Sequence, residues 1–88
     1  MNLMHRFKKP SYQERVTEWA EKNNYSVWLT PTASFKWLVD IKSNDEVPVA
    51  EPYFSTYVGW RSIEGGFEDI WRQIGHYEWL KQGTRKIV

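Results

Sequence analysis

Cysteine is absent from this 88-residue sequence, and its absence excludes disulfide bridges and metal sites built from thiolates. Histidine occurs only as His5 and His76, which lie near opposite ends of the chain. The carboxylates do not have the spacing of a calcium loop, and no other cluster of metal-ligating residue types is present. We therefore expect a protein that is not an enzyme and that has no catalytic residues, no metal site and no cofactor.

The sequence also has little excess charge of either sign and no long apolar run. Twelve basic and eleven acidic side chains leave a formal net charge of +1, which argues against a strong binder of nucleic acid or membranes. No segment approaches the about 20 apolar residues that a membrane-spanning helix needs. The basic N-terminal segment MNLMHRFKKP is not followed by the apolar stretch of a secretory signal. These features predict a soluble protein of the cytoplasm.

The length of the chain is that of one domain with one core, so we expect a single domain over residues 1–88. Within it, composition distinguishes a basic N-terminal arm at 1–10, an acidic loop at 43–52 and a basic tail at 84–88. If the two ends of the chain lie close together, they form a modest basic patch; otherwise they serve solubility.

Aromatic residues are abundant, with six tryptophans, five tyrosines and four phenylalanines. Each buried ring removes about 150–250 Å² from water, so most of them are expected in the core. Aromatic residues are also enriched at the centres of protein–protein interfaces. A core of this size is too small for all of them, and we expect some rings at the surface.

Two amphipathic helices are predicted. The first spans 11–23 and begins with a capping box, in which Ser11 and Glu14 each satisfy the other's backbone amide. Its apolar stripe consists of Tyr12, Val16, Trp19 and Ala20. The second spans about 62–82 and ends at Gly83, a natural C-terminal cap. Gly75 lies inside this second helix, where it permits a kink or a close helix crossing.

Three strands are predicted between the helices, at 25–30, 35–42 and 53–60. Pro31 marks the turn between the first two, and the polar segment 43–52 forms a long loop. The third segment, YFSTYVGW, has aromatic residues at both odd and even positions, so its orientation stays ambiguous.

The order helix, three strands, helix predicts an α+β fold of two layers, α-β-β-β-α, with a three-stranded antiparallel sheet and both helices on one face. Trp28 and Leu38 break the apolar alternation of their strands. We therefore place them on the opposite, open sheet face and predict a surface for a protein partner there. The predicted partner-binding residues are Trp28, Lys36, Leu38, Lys42, Tyr57 and Arg61.

Other functions of the same surface remain open. The element order over 11–82 resembles that of the double-stranded-RNA-binding domain, but the segment at the start of the second helix, SIEGGFEDIW, is acidic where that family has phosphate-gripping lysines. A platform for single-stranded nucleic acid is a second alternative, with Trp28 and Tyr57 stacking on bases and Lys36, Lys42 and Arg61 nearby. A structural homodimer that packs sheet on sheet is a third.

The pattern of elements in SYQERVTEWAEKNNYSVWL, FKWLVDIKS and YFSTYVGWRSIEGGFEDIWRQI resembles that of small phage-encoded anti-defence proteins, among them anti-CRISPR proteins. The resemblance covers most of the chain. It implies an inhibitor that docks on a host defence complex or a nucleic-acid-processing complex in the host cytoplasm, as a monomer or homodimer. Many such inhibitors are strongly acidic and mimic DNA, whereas this chain is balanced in charge, which favours blocking by shape and aromatic anchors.

Overall fold

The helices and strands follow the predicted order. The computed structural model of the protein describes residues 9–45 and 53–87, the last four of these as backbone only. The elements are α1 (Tyr12–Lys22), β1 (Tyr25–Pro31), β2 (Trp37–Ser43), β3 (Phe54–Ser55) and α2 (Ile63–Ile87). The strands form one antiparallel sheet in the order β1-β2-β3. The predicted α+β fold is confirmed.

Helix α1 begins and ends as its sequence indicates. The backbone amide of Glu14 donates to the hydroxyl of Ser11 at 3.1 Å, which satisfies one of the free N–H groups of the first turn. The helix ends at Asn23, whose backbone N–H donates to carbonyls of the last turn. Asn24 then takes a left-handed conformation with φ of 61°, which Asn tolerates better than most residues, and turns the chain directly into β1.

One face of the sheet carries both helices. Cross-strand partners such as Val27 and Ile41 share that face, and Val39, Ile41 and Phe54 are buried on it. Helix α1 packs over β1, and α2 packs over β2 and β3. The core consists of Val16, Ala20, Tyr25, Val39, Ile41, Phe54, Phe67, Ile70 and Ile74.

Aromatic rings close the end of the core between the helices and the sheet. Trp19 stacks on Tyr25 with ring centroids 5.1 Å apart and meets Phe54 and Tyr77 edge to face. Such pairs contribute about 0.5–1.5 kcal/mol each beyond the area they bury. The indole N–H of Trp19 donates to the Glu78 carboxylate at 3.0 Å, so its one polar atom is satisfied.

The hairpin between β1 and β2 takes up more residues than predicted. Two hydrogen bonds between Thr32 and Lys36 close the loop. The Thr32 amide donates to the Lys36 carbonyl at 2.8 Å, and the Lys36 amide donates to the Thr32 hydroxyl. Phe35 lies inside this loop with φ of 58° and 94% of its surface exposed. The prediction that the second strand begins at Phe35 is therefore wrong.

The third strand is much shorter than the predicted segment 53–60. Only Phe54–Ser55 pairs regularly with β2, and the chain then leaves the ladder and returns in a single bridge between Trp60 and Trp37. The ambiguity of its orientation is resolved, because Phe54 points into the core and Tyr53 is exposed.

Helix α2 is longer than predicted and runs through Gly83 to Ile87, so residues 84–87 of the predicted tail are helical. No glycine of the described chain has a positive φ, and Gly83 therefore does not act as a C-terminal cap. A Cβ atom added at Gly75 meets nothing within 4 Å, which rules out the close helix crossing at that position. Most of the predicted arm 1–10 and loop 43–52 lies outside the described residues.

Candidate binding surface on the open sheet face

The open face is the side of the sheet opposite the two helices. The register places Trp28 beside Asp40, and Asp40 beside Ser55, in one row across all three strands. Because side chains alternate along a strand, every second residue on either side of this row shares the face. We define the open face by the side chains of Trp28, Leu38, Asp40, Lys42, Tyr53 and Ser55. Trp28 lies halfway along the edge strand β1, with 55% of its surface exposed.

A cation–π contact holds Trp28. The Nζ atom of Lys42 lies 5.6 Å from the centroid of the indole ring. The two residues are diagonal neighbours on β1 and β2, since Lys42 pairs with Ser26, two residues before Trp28. At an exposed site such a contact is worth about 0.5–1 kcal/mol. It restrains the indole and places a positive charge against one face of the ring.

The carboxylate of Asp40 organises the β3 side of the open face. Its Oδ1 atom accepts hydrogen bonds from the Tyr53 hydroxyl at 3.2 Å and the Ser55 hydroxyl at 2.5 Å. The Ser55 hydroxyl in turn accepts the backbone amide of Tyr57 at 3.1 Å. These hydrogen bonds hold the Tyr53 side chain next to Asp40 and connect the backbone of Tyr57 to the same carboxylate through Ser55.

A bulge follows β3 at the edge of the open face. Before it, the Thr56 amide donates to the Val39 carbonyl at 3.0 Å; after it, Trp60 and Trp37 exchange backbone bonds of 2.9 and 2.7 Å. Residues 57–59 therefore lie opposite the single residue Leu38 on β2. Bulges of this kind re-aim side chains and are frequent beside functional sites.

The bulge projects Tyr57 and Val58 into solvent. Tyr57 has φ of 62°, an uncommon conformation for a residue with a bulky side chain, and 75% of its surface is exposed. A strained residue of this kind persists only where its surroundings enforce it. Here the Ser55 hydroxyl and the two flanking ladder contacts do so.

The structure brings together most of the predicted partner-binding residues. Trp28, Leu38 and Lys42 share the open face, and Tyr57 lies in the bulge opposite Leu38. Lys36 lies at the rim, where its stem passes so close to Gly59 that a Cβ atom at that glycine would come within 2.6 Å of it. Arg61 is exposed just before α2, and no contact described for it reaches the open face.

The predicted set of partner-binding residues lacks Tyr53, Ser55 and Asp40. The alternation of Tyr53, Ser55 and Tyr57 was visible in the sequence, but its direction depends on the register with β2. Phe35 and Val58 are further exposed apolar residues that the sequence did not reveal, because both lie where a strand was predicted.

Two other properties of the described residues concern metal binding and membrane crossing. Across 9–45 and 53–87, no group of three or more His, Asp or Glu side chains is placed to hold a metal ion. In the same ranges, neither helix combines the length and apolar character needed to cross a membrane. Away from the open face, Trp79 is exposed on α2 and stacks on His76 with centroids 6.1 Å apart.

Comparison with known proteins identified no matching family model, no similar curated protein and no matching solved structure. The resemblance to phage anti-defence proteins therefore stays a prediction.

Proposed function

We propose that this protein binds another protein through the open face, with Trp28 as the main anchor. The observation that carries the proposal is an exposed indole, restrained by Lys42, on a sheet face that neither helix covers. Tryptophan is one of the residue types enriched among binding hot spots, with tyrosine and arginine. Because Lys42 and Asp40 already restrain the aromatic side chains of the face, less rotamer entropy is lost on binding.

The size of the face indicates how a partner has to dock. The seven-residue strands β1 and β2 cover about 24 Å by 10 Å, and the two residues of β3 add little, which gives a flat area of roughly 260 Å². A standard interface buries about 800 Å² on each partner. A partner therefore has to extend beyond the strands, and the exposed Phe35 at the hairpin and Tyr57 and Val58 in the bulge supply the additional apolar area.

The charges of the face favour a protein over a nucleic acid. Affinity for single strands depends on cations along the backbone path and on free aromatic faces for stacking. Here the Asp40 carboxylate lies next to Trp28, and Lys42 already lies over the indole ring. A base would have to displace Lys42 from that side of the ring, and a phosphate would meet a negative charge beside it.

The test compares two tryptophans in one chain. Immobilised wild-type protein, Trp28→Ala and Trp79→Ala are exposed to the same lysate, and a protein captured by the wild type is then purified for binding measurements. Trp79 is the matched control because it is an exposed tryptophan on α2, away from the open face. We expect Trp28→Ala to weaken binding by about 2 kcal/mol or more, about thirtyfold, and Trp79→Ala to leave it unchanged.

Two results would contradict the proposal. One is a purified partner that binds Trp28→Ala as tightly as the wild type. The other is tight, salt-sensitive binding of a single-stranded oligonucleotide that Trp28→Ala abolishes, which would assign the face to nucleic acid. The narrower prediction from the resemblance, an inhibitor of a host defence complex, depends on the identity of the captured protein.

A further inference from the structure

The two edges of the sheet differ in how well they are protected against pairing with another strand. The β3 edge is only two residues long, it ends in the bulge, and the side-chain amide of Gln73 donates to the outward carbonyl of Ser55 at 2.8 Å. The β1 edge is seven residues long, YSVWLTP, and carries no charged side chain. Short strands, bulges, charges and prolines are the usual means of preventing edge pairing, and of these β1 has only its terminal Pro31.

The direction of the backbone groups along β1 follows from the two ends of the hairpin. The Asn44 amide donates to the Asn24 carbonyl at 3.0 Å, and the Thr32 amide donates to the Lys36 carbonyl at 2.8 Å. Both pairs belong to the same register as the strands, so the even-numbered residues of β1 direct their N–H and C=O groups at β2. The odd-numbered Val27 and Leu29 direct theirs away from the sheet.

We infer that β1 pairs with β1 of a second copy of this chain, antiparallel and centred on Trp28, to form a continuous six-stranded sheet. In this register Val27 lies opposite Leu29 of the second copy, and the two residues exchange both backbone hydrogen bonds. The two-fold symmetry repeats the pair, which gives four hydrogen bonds from groups that have no strand partner within the described chain.

The side chains also fit a second copy. Trp28 would face its own counterpart at a non-hydrogen-bonded position, where side chains approach most closely and aromatic pairs add stability. Because β1 is uncharged, no like charges of the two β1 strands lie opposite one another. Pro31, which lacks an N–H, lies at the end of the paired segment, where the ladder stops. A register centred on Leu29 would instead place Pro31 opposite Val27 and lose a hydrogen bond.

The consequence is a doubled open face. A two-fold axis perpendicular to the sheet leaves both open faces on the same side, with the two tryptophans at the centre. Pairing along one edge strand buries less surface than a standard interface, so we expect a weak dimer whose population depends on concentration. The pairing is measured on the isolated protein and does not depend on the proposed partner.

The test uses Leu29→Pro and a concentration series in sedimentation equilibrium. Proline removes the outward N–H of Leu29 but no bond to β2, and edge strands tolerate it there. Leu29 is 37% exposed, so we expect the variant to fold. The wild type should pass from monomer to dimer between micromolar and millimolar concentration, and Leu29→Pro should remain monomeric with a circular dichroism spectrum like that of the wild type.

Amide hydrogen exchange on the wild type provides a measurement that does not depend on a variant. In the dilute monomer the amides of Val27 and Leu29 should exchange fast, whereas those of Trp28 and Thr30 should be protected by β2. In concentrated protein Val27 and Leu29 should gain protection. A wild type that stays monomeric throughout, or a dimer without this gain, overturns the inference. So does a dimer that persists in folded Leu29→Pro but is lost in Leu38→Lys, which would indicate packing of open face on open face.

Discussion

The hydroxyl of Thr56 takes the place of a missing backbone carbonyl at the bulge, and its removal should destabilise the fold. Where the ladder between β2 and β3 ends, the buried amide of Val39 donates to the Thr56 side chain at 3.2 Å. Thr56 is itself buried. Thr56→Val keeps the shape of the side chain but leaves the Val39 amide without an acceptor, and an unsatisfied buried N–H costs about 1–3 kcal/mol.

The expected loss is large enough to measure in a domain of this size. A change of 1 kcal/mol shifts the melting temperature by about 4–8 °C in a domain of 60–100 residues, so Thr56→Val should melt at least that much lower. Urea unfolding followed by tryptophan fluorescence gives the corresponding free energy of unfolding. Thr30→Val is the matched control, because Thr30 is exposed on β1 and its substitution should change stability by less than about 0.5 kcal/mol.

The outcome separates two accounts of the bulge. If Thr56→Val is as stable as the wild type, the Val39 amide has another acceptor, and the bulge does not depend on the Thr56 hydroxyl. Thr56→Ser distinguishes the hydroxyl from the methyl group. It keeps the acceptor and should lose only the burial of one methyl, about 1 kcal/mol.

Two further predictions concern glycine and the first helix cap. Gly59→Ala should destabilise the protein by about 1–3 kcal/mol in urea unfolding, because its Cβ would lie 2.6 Å from that of Lys36. A Cβ added at Gly75 meets nothing within 4 Å, so Gly75→Ala should instead stabilise the exposed helix by about 0.5–1 kcal/mol. If Gly59→Ala changes the stability by the same amount as Gly75→Ala, the bulge shifts to accept the added side chain. Ser11→Ala should lower the free energy of unfolding by about 1 kcal/mol, because it removes the oxygen that accepts the Glu14 amide. Ser11→Asp should lose little, because its carboxylate accepts the same amide. If Ser11→Ala and Ser11→Asp are equally stable, the cap contributes nothing.

The elements and their layering were predictable because local patterns and packing agree. The spacing of Val16 and Ala20 defines the buried side of α1, and the alternation through Val39 and Ile41 defines the inner face of β2. The break in the alternation of β1 at Trp28 likewise predicted that this residue faces away from the helices. These signals depend on neighbours in sequence, and they hold wherever one face is clearly apolar.

What the sequence could not reveal depends on contacts between distant residues. Phe35 has the parity of an inner-face residue, but the Thr32 hydroxyl and carbonyl bonds close the hairpin around it. The segment 53–60 consists of strand formers, yet the bond between Thr56 and Val39 and the bridge at Trp60 force three residues out of the ladder. At Gly83 the helical pattern continues, and the preference of glycine for a cap does not decide the outcome.

Trp19 and Trp28 show why stability and binding can be separated in this fold. Trp19 packs among three aromatic rings between the helices and the sheet, where the loss of its side chain removes part of the core. Trp28 lies nine residues later, on the other side of the sheet, where Lys42 contacts its ring. Because the helices already bury the inner face, the outer face carries large apolar groups that the core does not need. A residue that contributes little to folding and is nevertheless held in place by its neighbours is suited to contact another molecule.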